Sequence, residues 1–114
     1  RRLHARRYRD GIRNPAVTLP PERPGCEHVY HQFVVRCRRR EALREHLAAA
    51  GLPTLVHYPR ALSQMQAVKE HARIPSPPRE AERAASEIVS LPIYPEMPEE
   101  QQAAVIETVN GFGG

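Results

Sequence analysis

Aromatic residues are scarce in this chain: four tyrosines, two phenylalanines and no tryptophan among 114 residues. Nucleic-acid binders interleave their cations with stacking rings, and too few rings are present to build such a surface. Cysteine occurs only as Cys26 and Cys37. Two thiols make no disulfide framework, and their separation fits no common zinc spacing. Cys37 alternates with Phe33 and Val35 and is expected to be buried, and Cys26 to lie in a loop. No apolar run approaches the roughly 18 residues of a membrane-spanning helix. The opening Arg1-Arg2 pair is not followed by the apolar stretch of an export signal, so the expected compartment is the cytoplasm. Lysine appears once, as Lys69, beside sixteen arginines, a bias that fits a GC-rich coding sequence.

What is present describes an ordinary globular chain. Charged residues make up 26% and hydrophobic ones 40%, close to the average, and the length suffices for one modest core or a piece of a larger protein. The twelve prolines fall between periodic segments and punctuate the fold. Net charge is +4, and six arginines lie in the first thirteen positions. A basic arm can attract nucleic acid, with steep salt dependence as its signature. Without stacking partners, these arginines and the run Arg38, Arg39, Arg40 read as solvated surface.

Ala5, Tyr8 and Ile12 recur at i, i+3 and i+7, predicting a helix over 1–13 with one apolar stripe. It opens without an N-cap or a preceding loop, as expected of a chain cut from a longer one. Pro15, Pro20, Pro21, Pro24 and Gly25 make 14–27 an irregular connection. His28 to Arg38 alternates, with Val29, His31, Phe33, Val35 and Cys37 on one face and Tyr30, Gln32, Val34 and Arg36 on the other, predicting a central strand. His28 and His31, three apart on a strand, point to opposite faces and cannot readily chelate one ion, so no metal site is expected.

Leu43, Leu47 and Ala50 stripe a helix over 39–50. Gly51 and Leu52 close it in a Schellman turn against Leu47, and Pro53 stops it. The following strand, Thr54 to Tyr58, ends at Pro59. Residues 61–71 read as a weak helix on Leu62, Met65 and Val68, 74–78 as a proline break, and 80–87 as a short helix. Ile88 to Leu91 is a third strand, stopped by Pro92. A last helix opens with Pro98 at N1 and Glu99 and Glu100 in its first turn, buries Val105, Ile106 and Val109, and ends at Gly111. About three mostly antiparallel strands with helices packed on one face predict an α+β fold, a small two-layer sandwich.

Three phrases stand in order along the chain: HVYHQFVVR (28–36), GLPTLVHYP (51–59) and IVSLP (88–92), the last followed by Tyr94 and Pro95. Together they resemble successive landmarks of the DegT/DnrJ/EryC1/StrS aminotransferases, pyridoxal-phosphate enzymes that aminate keto-sugars. The likeness covers nearly the whole chain, and Arg1, Arg2 and Tyr8 resemble the family's link from large to small domain. It implies that 1–13 is an inter-domain helix and 14–114 the C-terminal small domain of a fold type I transaminase. It further implies pyridoxal 5'-phosphate held as a Schiff base by a lysine of the large domain. The implied substrates are a nucleotide-linked keto-sugar and an amino-acid donor, and the implied parent is a homodimer.

Within this chain the resemblance points to His57 and Tyr58 as substrate-facing residues, an imidazole and a phenol able to hydrogen-bond sugar hydroxyls or the donor's carboxylate. Tyr30 and His31 rank behind them, since the core also claims those positions. After the His-Tyr-Pro turn many members carry a proline and then His-x-Gln. Here residues 60–66 contain no histidine, Ser63 stands near its place, and either Gln64 or Gln66 aligns with the glutamine. Lys69 sits beside Glu70 with no phosphate cradle around it and reads as a surface lysine. The chain alone is therefore expected not to transaminate. The alternative is a stand-alone small α+β module that binds a ligand or protein without catalysis, and an authentic start codon just before Arg1 would favour it.

Overall fold

The computed structural model describes residues 1–113. Helix α1 (Arg2–Gly11) buries Ala5, Tyr8 and, at its end, Ile12, the stripe its spacing requires. Strand β1 covers Phe33–Arg36, α2 Arg40–Ala49, α3 Gln66–His71, α4 Arg79–Glu87, β2 Ile88–Leu91 and α5 Glu99–Asn110. A single 3₁₀ turn, Leu62–Gln64, precedes α3.

The α+β class holds, but the sheet is smaller than the expected three strands. Among the described residues only β1 and β2 form a ladder, antiparallel, with Phe33 opposite Leu91 and Val35 opposite Val89. One isolated bridge flanks each edge: Thr18 pairs with Arg36 beyond β1, and Leu55 with Ser90 beyond β2. The expected strand 54–58 is therefore one bridge long. Leu55 is 63% exposed, so this segment has no apolar face to bury against the sheet, and Pro53 and Pro59 remove donors on both sides.

The expected strand 28–38 begins only at Phe33. Tyr30 adopts φ +51°, a left-handed conformation unusual for a bulky residue, and its N–H donates to His28 Nδ1 at 2.8 Å. This local turn takes Val29 and His31 off the alternating face, and both are exposed. Cys37 is buried and Cys26 exposed, as their positions predict.

Around Phe33, Val35, Val89 and Leu91, which share one face of the sheet, α1, α2 and α5 close a single core. They bring in Tyr8, Leu43, Leu47, Val105 and Val109, all 0% exposed. Ala50 is exposed, because it is the C-cap of α2 and lies beyond its last buried turn. The Schellman closure forms as expected: Gly51 N donates to Ala48 O at 2.9 Å, and Leu52 N to Leu47 O at 3.0 Å. Gly51 takes φ +74° there, the conformation for which glycine has no steric penalty. The weak helix 61–71 is split at Met65, which is extended. Pro98 is the N-cap of α5, one position before the expected N1.

Candidate functional site

Along β2, Val89 and Leu91 point into the core, so Ser90 between them points to the other face. Ser90 is nevertheless buried, because the segment after α2 crosses over it. Ser90 N donates to Leu55 O at 2.8 Å, and Leu55 N to Ser90 O at 3.3 Å. Two residues further on, His57 Nδ1 meets Ser90 Oγ at 2.9 Å. The proline-bounded segment is thus pinned to the sheet edge at one backbone pair and one side-chain pair. The His57–Tyr58 peptide within it is cis.

Half-buried His57 forms one wall of a cleft of about 410 Å³, shared with Ser90, Arg1, His31, Tyr94 and Gln101. Arg1, also in the lining, donates from Nη1 to His31 O and to Ile93 O, both at 2.8 Å. Tyr94 donates its hydroxyl to Gln101 Oε1. Among the described lining residues Arg1 is the only arginine, and no lysine, aspartate or glutamate joins it. Pro53, Leu55, Leu91, Pro92 and Ile93 supply the apolar part of the cleft, and Gln32 a further polar one. A few convergent donors and acceptors on an apolar floor can orient a neutral, hydroxyl-bearing ligand. Among the described residues, His57 Nε2 has no protein partner, which leaves one ring nitrogen for such a ligand.

Tyr58 does not share this cleft. It is 73% exposed and lines a separate groove of about 530 Å³ with Leu62, Ser63, Ala81, Ala84 and Ile88. Its ring still touches the His57 ring edge-on, with centroids 5.8 Å apart and planes at 90°. Ser63 donates from Oγ to Glu82 Oε1 at 2.7 Å, tying the 3₁₀ turn to α4. His31 reaches the cleft, whereas Tyr30 is buried between His28 and Phe33 and donates its hydroxyl to Glu22. Burial, and then the neighbouring Glu22 carboxylate, raise the Tyr30 phenol above its ordinary pKa. The geometry thus brings His57 and His31 together, holds Tyr58 and Ser63 on a neighbouring groove, and places Tyr30 in the core.

Sequence reasoning overlooked Ser90, Arg1 and Gln101 as members of this cleft. Ser90 carried a weak signal, a lone polar residue inside the apolar run 88–91. Arg1 and Gln101 carried none, since only the packing of α1 and α5 beside the sheet brings them to it.

A pyridoxal-phosphate site requires an amine for the aldehyde carbon and a nest of N–H donors for the phosphate. Lys69, the only lysine, is exposed on the six-residue α3 and lines neither cavity. The residues present do not fit the cofactor.

A profile of the DegT/DnrJ/EryC1/StrS aminotransferase family, which is PLP-dependent, matches residues 1–110. The dTDP-3-amino-3,6-dideoxy-alpha-D-galactopyranose transaminase of Aneurinibacillus thermoaerophilus is 40% identical over 113 residues, 99% of this chain and 31% of that protein. The dTDP-3-amino-3,4,6-trideoxy-alpha-D-glucose transaminase of Streptomyces venezuelae is 37% identical over 106 residues, covering 92% of this chain and 28% of the relative. The crystal structure of S. venezuelae DesV with a ketimine intermediate superposes with a TM-score of 0.90 at 35% identity, over 96% of this chain and 30% of that one. A DegT/DnrJ/EryC1/StrS aminotransferase from Brucella abortus gives 0.88 at 28% identity, over 99% and 30%. This chain spans about 30% of the length of the relatives it matches.

Proposed function

This chain belongs to the DegT/DnrJ/EryC1/StrS aminotransferase family, and from that premise we propose that it forms the C-terminal small domain of a nucleotide-sugar aminotransferase. In this reading residues 1–13 link it to a large domain and 14–114 are the small domain itself. The parent works in the cytoplasm as a homodimer, taking an amino group from an amino acid and giving it to a nucleotide-linked keto-sugar. Pyridoxal phosphate and the lysine that holds it belong to the large domain, because Lys69 has neither the burial nor the surroundings for that role.

The carrying observation is His57 on the cleft, its Nδ1 fixed by buried Ser90 at 2.9 Å and its Nε2 unpartnered among the described residues. Ser90 sets the ring's orientation, so Nε2 is held ready for a sugar hydroxyl without an ordering cost at binding. Tyr58, exposed one residue on, supplies a second polar contact to the same substrate from the neighbouring groove.

Two preparations test this. The 114-residue chain, given pyridoxal phosphate and then borohydride, gains no reduced adduct on Lys69 and transfers no amino group. A chimera in which this chain replaces the matching third of the S. venezuelae transaminase is active on that enzyme's keto-sugar. In that chimera, His57→Ala lowers kcat/KM by about tenfold, the loss of the one ligand hydrogen bond that Nε2 makes. A chimera that folds and binds the cofactor but is inactive, or is indifferent to His57→Ala, refutes the assignment.

A further inference from the structure

The arginine run after β1, which reads as solvated surface in the sequence, meets another arginine and a glutamate in the fold. Arg36, Arg38, Arg39 and Arg83 surround a cavity of about 670 Å³, larger than the cleft at His57, and among the described residues Glu87 is the one acidic side chain lining it. Four guanidinium groups against one carboxylate leave +3 on its walls.

The single acid is already engaged. Glu87 Oε2 accepts from Arg36 Nε at 2.9 Å and from Nη2 at 2.7 Å, so this pair cancels. Arg39 lies over the Phe112 ring at 5.7 Å and, among the described residues, donates to the backbone oxygen of Gly113 and pairs with no acid. Among the described residues Arg83 pairs only with Glu80, in an exposed i,i+3 pair, which is weak. Arg38 makes no hydrogen bond or ion pair among the described residues. Pro15, Ala16 and Cys37 supply the apolar part of the lining.

We propose that this cavity is a binding site for a small phosphorylated anion bearing at least two negative charges. Guanidinium forks match phosphate oxygens in pairs, and like charges that outnumber the acids beside them are relieved by an anion between them. The volume falls in the range of small-molecule sites, and the apolar lining accommodates the ligand's uncharged part. The site lies across the sheet from His57. Thr18 borders it on the outer edge of β1, whereas Leu55 and His57 hang from the outer edge of β2. It is therefore distinct from the proposed sugar cleft and does not rest on that reading.

Calorimetric titration of the 114-residue chain with inorganic pyrophosphate tests it. Saturable one-to-one binding is expected, weakened about tenfold by Arg38→Ala or Arg83→Ala, each of which removes one charge-assisted contact. Both side chains are exposed, and unchanged circular dichroism confirms folding. Arg23→Ala, an equal loss of charge at an exposed position outside the cavity, changes affinity less than about twofold. Failure to saturate, or an Arg23→Ala effect as large as that of Arg38→Ala, overturns the site in favour of general charge attraction. Preferential binding of a DNA duplex through Arg38 overturns it in favour of nucleic acid.

Discussion

Exchanging one amide for a carboxylate at Asn14 probes how the start and the end of this chain are locked together. Asn14 is buried, and Nδ2 donates to Val109 O at 2.7 Å and to Phe112 O at 2.8 Å, while Oδ1 accepts from Ala16 N at 2.9 Å. Val109 lies in the last turn of α5, where carbonyls lack partners within the helix. Asn14→Ala removes three hydrogen bonds worth about 1 kcal/mol each, so roughly 3 kcal/mol of stability. Asn14→Asp keeps the contact to Ala16 N but turns an oxygen toward two carbonyl oxygens. It loses two hydrogen bonds, leaves Phe112 O without its donor and sets a charged oxygen against both carbonyls, although Val109 O keeps Phe112 N at 3.3 Å, about 3–5 kcal/mol when ionised. That is a large share of the roughly 5–15 kcal/mol that holds a domain folded.

The two variants differ in their response to pH. Carbonyl oxygens oppose the ionised form, so the introduced carboxylate has a folded-state pKa above its unfolded value of about 3.9. Between those two values the folded state binds more protons. The aspartate variant therefore gains stability as pH falls through the folded pKa, and loses it again as pH rises. The alanine variant has no such contribution. Urea unfolding followed by circular dichroism, between about pH 4.5 and pH 8, measures the difference between the two. A difference that does not change with pH refutes the assignment of the two donated hydrogen bonds.

Two further outcomes follow from local geometry. Gly51→Ala costs about 1–2 kcal/mol in urea unfolding: a Cβ would meet nothing within 4 Å, so only the left-handed φ of +74° resists it. A loss near zero would mean that the Schellman turn relaxes. Ser63→Ala frees the 3₁₀ turn from Glu82, raising amide hydrogen exchange over 58–65 while changing global stability by no more than about 1 kcal/mol. Unchanged exchange there would mean that the 2.7 Å contact does not restrain the segment.

How much could be read in advance depended on range. The stripe Ala5, Tyr8, Ile12, the closure at Gly51 and the strand Ile88–Leu91 were all readable because each is set within a few residues, by a periodicity or by a glycine's freedom. The same local reading overextended β1. Alternation ran back to Val29 on paper, and nothing in the letters announced that Tyr30 would turn left-handed with His28 as its acceptor. It also promised a strand at 54–58, where one bridge to Ser90 is all that forms.

The candidate site divided in the same way. His57 and Tyr58 were nameable from a contiguous phrase, yet adjacency in sequence did not place them together: one residue lines the cleft and the next lines the groove. The sequence by itself determined the helices, the turn after α2 and the family, because those depend on near neighbours and on ordered phrases. Only the tertiary structure decided that Ser90 orients His57, that Arg1 and Gln101 reach the same cleft, and that scattered arginines share one cavity. His57 and Ser90 are 33 positions apart and Arg1 and Ile93 are 92 apart, and the energies of such contacts exist only once the core around Phe33 has brought the elements together.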